Sequence, residues 1–145
     1  MSSVEVLCVA DIHIGRRPSR LPDRLDAADF SPRTIWNNLA ESAVTRGVDA
    51  VIVAGDLVDR KNKYAEAFGA VESVATTLAE ADIPLIAVAG NHDTDVLPDL
   101  AEAIDNLQLL GREGSWERTV LTDDDGEPCL HLDGWSFPSR HHPES

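Results

Sequence analysis

Three short apolar runs constrain this chain more than any other feature, because each stops at residues able to bind a metal. Val4–Ala10 leads into Asp11-Ile12-His13. Asp49-Ala50-Val51-Ile52-Val53-Ala54 leads into Gly55-Asp56-Leu57-Val58-Asp59-Arg60, and Leu85–Ala89 into Gly90-Asn91-His92-Asp93. The middle run is short and β-branched, the pattern of a strand buried on both faces. A strand that ends in Gly-Asp delivers a carboxylate to the carboxyl edge of a parallel sheet, where α/β folds place ligands. Three such strands offer Asp, His, Asp, Asn and His to one edge. That is the composition of a metal site.

The segments between the runs read as helices. Ser31-Pro32 is a helix start, a hydroxyl cap followed by proline at the first helical position. Ile35, Trp36, Leu39, Ala43 and Val44 recur at helical spacing as far as Arg46, and Gly47 supplies the stop. A second helix is predicted from about Tyr64 to Ala81, with Tyr64, Ala67, Phe68, Val71, Val74, Ala75 and Leu78 as its stripe. A third, shorter helix begins near Pro98 and ends by Asn106, and Leu107–Leu110 reads as a fourth strand. This alternation predicts an α/β fold, a parallel β-α-β sheet with right-handed crossovers and helices on its faces. Beyond it, Trp116–Leu121 and Glu127–Leu132 form a predicted short hairpin around Asp123-Asp124-Asp125-Gly126, a turn of the Asp-Gly type. Residues 134–145 show no periodicity. One domain, 1–145, is expected.

The charge balance narrows the function. The net charge is −14, and only Lys61 and Lys63 among the twelve basic residues are lysines. No broad basic face for gripping nucleic acid fits that balance; the acidity reads as a solvated surface or a setting for cations. The most basic segment is the loop bearing Arg16, Arg17, Arg20 and Arg24, which is read either as tracking a phosphate backbone or as solvated. Cys8 and Cys129 are far apart and outside any Cys-x-x-Cys pattern, and Cys8, inside an apolar strand, reads as a small hydrophobe. A reducing, cytoplasmic setting is expected. No apolar stretch is long enough to span a bilayer, and residues 1–10 lack the basic start of a signal peptide.

Each strand end carries its own chemistry. Asp11 and His13, two apart in extended chain, point the same way and can reach one ion; a strand-end Asp also serves as a turn cap. In Gly55-Asp56-x-x-Asp59-Arg60, glycine permits close approach and Asp56 can bridge two cations. In Gly90-Asn91-His92-Asp93, Asn91 offers a neutral oxygen to a hard metal and His92 can give or take a proton.

Together these blocks resemble the first three signature blocks of the calcineurin-like metallophosphoesterase superfamily, in order and in spacing. Asp-Ile-His-Ile-Gly at 11–15 and Gly-Asn-His-Asp rather than Gly-Asn-His-Glu at 90–93 look most like the DNA-repair exonucleases of the SbcD type. The resemblance implies the first half of a four-layer αββα sandwich. It also implies a dinuclear centre of manganese, or of iron or zinc, that activates water to hydrolyse phosphodiester bonds. Asp11, His13 and Asp56 would hold one ion; Asp56 and Asn91 would hold the other. His92 would act at the leaving oxygen as general acid or stabiliser of charge, with Asp59 orienting it. Arg60 could contact phosphate, though a surface ion pair is its commoner use. DNA as substrate and an ATPase partner of the SbcC type follow from the same resemblance, while a homo-oligomer or self-association is expected from the apolar sheet face that truncation leaves exposed.

The chain departs from the family where later histidines should complete the site. His131 falls in a predicted strand facing solvent. His141-His142 are adjacent, so their rings point apart and chelate poorly. The chain therefore reads as a truncated domain, inactive by itself, or as one completed by a partner. A small-molecule or nucleotide phosphodiesterase and a non-catalytic assembly module with a vestigial site are the alternatives. Trp36 reads as core; Trp116 and Trp135 read by default as packing anchors, with Trp135 also able to line a substrate groove.

Overall fold

The computed structural model describes residues 3–17, 26, 29–60, 63–123 and 125–141. Arg20, Arg24, Lys61, Asp124 and His142 lie outside them. Four parallel strands run in the order β1 (Val6–Val9), β2 (Ala50–Ala54), β3 (Leu85–Val88), β4 (Leu107–Leu109). Helices α1 (Pro32–Arg46), α2 (Tyr64–Glu80) and α3 (Leu97–Ala103) make the crossovers. An antiparallel hairpin, β5 (Glu117–Thr122) and β6 (Pro128–Gly134), follows as a separate two-stranded sheet. The α/β order expected from the sequence is therefore present element by element.

The local signals explain the element ends. Ser31 Oγ accepts the Thr34 N–H at 3.1 Å, Pro32 opens α1, and Gly47 closes it at φ 63° with its N–H on the last carbonyls. At the hairpin tip, the Asp123 carboxylate accepts the N–H groups of Asp125 and Glu127, and Gly126 takes φ 80°.

Each crossover steps one strand in the same direction, and a constant right-handed step places the helices on one face. The core shows this. Val51 and Val53 of β2, Leu85 and Ala87 of β3, and Leu107 and Leu109 of β4 pack with Trp36, Ala40 and Ala43 of α1 and Val71, Val74 and Leu78 of α2. One helix-covered face is the arrangement of half an αββα sandwich, as expected.

The opposite face is only partly covered. Ala50 and Ile86 are buried there, but Val6, Ile52 and Val88 are half-buried, and Cys8 and Ala54 are exposed. The β-branched run of β2 is thus buried on one face, and Cys8 is an exposed thiol on an edge strand rather than a core residue. The α1 stripe is also narrower than expected. Its buried line is Trp36-Ala40-Ala43, while Ile35 and Val44 face outward. Trp116, expected to pack, is 75% exposed.

The first two strands do not stop pairing where their regular ladder ends. Asp11 donates its N–H to the Gly55 carbonyl at 3.1 Å, His13 to that of Asp56 at 2.9 Å and Ile14 to that of Leu57 at 2.8 Å. Ile14 and Val58 form a further parallel bridge. These bonds carry both loops forward together, so Asp11, His13 and Asp56 travel as one unit. Gly55 (φ 96°) and Gly90 then meet face to face, and any Cβ on Gly90 would fall on the Asp56 carboxylate, 2.7 Å from both its Cγ and its backbone nitrogen.

Gly90→Ala is accordingly expected to destabilise the fold by about 1–3 kcal/mol, as overpacking does, and to push the Asp56 side chain from its place. Urea denaturation checks the first effect, and the manganese affinity of the folded variant checks the second.

Candidate metal centre

Asp11, His13 and Asp56 are each strand-end residues in left-handed backbone conformation, at φ 57°, 52° and 53°. Asp and His tolerate this region better than most residues, but each such position still costs on the order of 1–3 kcal/mol. The cross-strand bonds described above hold all three there. The turn re-aims the side chains off the strand ends, and one ligand atom from each comes within 4.8 Å of the others. Two ligands at about 2.0–2.2 Å from one ion can be at most about 4.4 Å apart, so small side-chain rotations suffice to close the set on a cation.

The burial of the set suits an ion as well. Asp11 is 74% exposed, which leaves the centre open on one side, while the His13 side chain is 12% exposed. His13 Nδ1 is buried and has no hydrogen-bond partner among the described residues; its nearest acid oxygen is that of Asp59 at 3.4 Å. That nitrogen is turned toward Asp59; Nε2 is the one turned toward Asp11, at 3.7 Å, and is the atom available to an ion of this set. The donor set of carboxylates and imidazole suits Mn²⁺, Fe²⁺ and Zn²⁺.

Asp59 and His92 adjoin this set. His13, Asp59 and His92 form a second group with ligand atoms within 4.8 Å, and the two imidazoles meet edge to face at 5.0 Å. Asp59 touches both histidines, through different atoms. Its carboxylate faces His13, whereas its backbone carbonyl lies 3.2 Å from His92 Nδ1. A carbonyl only accepts, so Nδ1 carries the hydrogen and Nε2 is the nitrogen left for chemistry. The His92 backbone N–H donates to Asp56 Oδ1 at 3.0 Å. Asn91 is exposed at the same sheet edge, directly after β3, and lines a pocket with Arg60, His92, Arg140 and His141. Arg60 is 65% exposed and lies 3.6 Å from Asp59.

Three residues not singled out from the sequence shape this region. Asp93 is fully buried, and its carboxylate accepts N–H groups from Gly90 and Leu57, both at 2.8 Å, and from Val58 at 3.4 Å. Burial pushes its pKa up to about 6, against the pull of those three backbone bonds and with a further push from Asp56. Its signal was present in the Gly-Asn-His-Asp block, but only the three-dimensional approach of the two loops shows what the acid holds. Ser136 is buried at 2% exposure; its hydroxyl donates to the Leu110 carbonyl at 2.6 Å and accepts the Ala89 N–H at 2.8 Å. Arg140 had drawn no reading, and His141 had been set aside as a poor chelator; both stand at the pocket. His131 is exposed, as expected.

The sequence profile of the calcineurin-like phosphoesterase family matches residues 4–143. The chain belongs to that family. Its members use divalent metals, which agrees with the clustered carboxylates and imidazoles above. The DNA double-strand break repair protein Mre11 of Aeropyrum pernix is 40% identical over 96 residues, covering 66% of this chain and 22% of that protein. The protein of the same name from Halobacterium salinarum is 36% identical over 120 residues, covering 79% of this chain and 29% of its own length. The chain thus spans less than a third of these relatives. The solved Pseudomonas putida nuclease MPE overlays 72% of this chain and 46% of its own, at 20% identity and a TM-score of 0.49.

Asp93→Ala would strand two well-bonded, buried backbone donors, each worth roughly 1–3 kcal/mol. Urea denaturation is expected to show a loss of about 3 kcal/mol or more; a loss below about 1 kcal/mol would mean that the two loops are held by something else.

Proposed function

We propose that this chain carries the amino-terminal part of a metal-dependent phosphodiesterase domain whose substrate is DNA. The observation that carries the reading is the convergence of ligand atoms of Asp11, His13 and Asp56 within 4.8 Å at the ends of two neighbouring strands. The family match and the Mre11 relatives support the phosphoester chemistry and the DNA substrate.

In this reading Asp11, His13 and Asp56 would hold one ion, and Asp56 with Asn91 would hold a second. Manganese is the expected metal. When bound, divalent ions stabilise the charge of the phosphate oxygens and acidify water. The chain's own contribution is positional. The His92 N–H steadies the Asp56 carboxylate at 3.0 Å. Asp59 orients His92 through its carbonyl, leaving Nε2 to give a proton to, or stabilise, the leaving oxygen. Arg60, 3.6 Å from Asp59, would contact a substrate phosphate.

The same relationship points to a cytoplasmic DNA-repair role and to an ATPase partner of the SbcC type. The half-covered second face of the sheet, with Ile52 and Val88, favours self-association of the chain. Among the described residues no helix is long and apolar enough to cross a membrane.

Two protein ligands, one of them an amide oxygen, hold the second ion less firmly than three hold the first. Calorimetric titration with manganese is therefore expected to show one site filling well before the other, with slow or no cleavage of linear DNA by this chain alone. Asp56→Asn should weaken both sites. His92→Ala should leave binding intact while lowering any turnover by about 10²–10⁴-fold. Loss of metal binding in His92→Ala would overturn its assigned role. Binding by Asp56→Asn at the level of the unmodified chain would overturn the centre itself. Two tight sites with Asp56-dependent cleavage would show that the second site is completed from within this chain or by another copy.

A further inference from the structure

The five side chains around the pocket next to His92 include no carboxylate among the described residues. Arg60, Asn91, His92, Arg140 and His141 enclose about 300 Å³ open to solvent. Each can donate hydrogen bonds, and two are permanent cations. In a chain of net charge −14 with 26 acidic residues, such a lining is conspicuous. Arg46, Arg60, Lys63, Arg112 and Arg118 each have an acidic partner; among the described residues Arg140, like Arg16, Arg17 and Arg33, has none.

The placement of Arg140 and His141 is built into the fold. After β6, Ser136 is pinned by its hydroxyl between the Ala89 N–H and the Leu110 carbonyl. Ser136 also donates its backbone N–H to the Gly111 carbonyl, and Phe137 donates its own to the Ala89 carbonyl, both at 3.0 Å. The segment therefore runs beside the end of β3, one residue before Gly90-Asn91-His92. Pro138 packs on Gly114, and the Ser139 hydroxyl caps the His141 carbonyl at 2.9 Å. A guanidinium with no acidic partner is thus delivered next to Asn91 and His92 by a segment tied down through a buried serine.

We propose that this pocket is a phosphate subsite beside the metal centre, with Arg140 as its principal cation and His141 and Arg60 at its sides. It takes a phosphate neighbouring the one attacked. The group is either the next phosphodiester of a nucleic-acid strand or a terminal or free phosphomonoester. The inference rests on the proposed phosphodiesterase reading. It adds to that reading a determinant of how substrate is registered against the centre. A guanidinium offers two parallel N–H donors to phosphate oxygens, which an amine cannot match.

The test reads binding rather than turnover. The whole chain is titrated into a single-stranded oligonucleotide labelled at its 3′ end, with and without a 5′-phosphate. Fluorescence anisotropy is followed at low ionic strength, in EDTA and again in calcium. Arg140→Ala is expected to weaken binding about 10-fold and to flatten the salt dependence by roughly 0.7, the loss of one single-strand phosphate contact. Arg140→Lys should recover only part of the affinity. Arg140 is exposed, so the variant should keep its thermal melting point, and that measurement accompanies the titration. Competition by inorganic phosphate with the same Arg140 dependence would assign the pocket to a phosphomonoester. Competition by unphosphorylated oligonucleotide alone would assign it to a backbone phosphodiester. No binding by the unmodified chain, or an unchanged Kd and salt slope in Arg140→Ala, overturns the subsite. Arg140-dependent binding by a chain whose manganese affinity is unchanged by Asp56→Asn overturns only the metal-centre reading; an Asp56-dependent metal site without any Arg140 effect on binding overturns only this one.

Discussion

Everything at the sheet's carboxyl edge depends on one buried carboxylate. Asp93 reaches from the loop after β3 across to the loop after β2, taking the N–H groups of Leu57 and Val58 while also holding its own loop at Gly90. Those backbone groups lie past the ends of the ladder and would otherwise be buried without partners, which is among the costlier defects a fold can carry. With them satisfied, Gly55 can sit against Gly90, and the His92 N–H can meet Asp56. The positions of Asp56, the proposed metal ligand, and of His92, the proposed proton-transfer residue, are therefore set by an acid that the proposal gives no contact with metal or substrate.

The same edge concentrates strained backbone. Asp11, His13 and Asp56 all occupy left-handed φ values, and β1 and β2 continue to exchange hydrogen bonds through that stretch. Strain persists only where surrounding structure over-determines it. Here the over-determination comes from cross-strand bonds on one side and Asp93 on the other. A strand that simply ended would splay its side chains alternately to the two faces of the sheet. The left-handed turns gather them on its end instead.

Much of this could be read from the sequence, for identifiable reasons. Apolar runs ending in Asp, Gly-Asp and Gly-Asn-His gave the strand ends and their order, because strand length and glycine position are local properties. Ser31-Pro32 and Gly47 gave α1 almost to the residue. Burial was less legible: Ile35 and Val44 match the helical period as well as Ala40 does, and only the placement of α2 decides which line is covered. Cys8 reads as a small hydrophobe, and only the fold shows that it lies on the face no helix covers, while Leu7 and Val9 of the same strand pack on the core. The role of Asp93 could not be read at all, since it requires knowing that two loops 35 residues apart in sequence touch. His141 was judged as a chelator beside His142, when its neighbours in space are Asn91 and His92. Local rules describe a residue's own segment, and these residues act across segments.

Charge ties the clamp to the site. Asp11, Asp56 and Asp59 stand around His13, and Arg60 is the only cation paired with any of these acids among the described residues, at 3.6 Å from Asp59. The excess of negative charge reaches as far as Asp93, whose pKa is raised mainly by burial and in smaller part by Asp56. A cation at the centre would act on the Asp56 contribution. By offsetting the Asp56 charge it would favour the ionised form of Asp93, which accepts three backbone N–H groups. Metal binding and loop cohesion are in this sense one electrostatic problem. A cation that drew Asp11, His13 and Asp56 together would also strengthen the clamp that places Asp56, coupling the order of the edge to its affinity for metal.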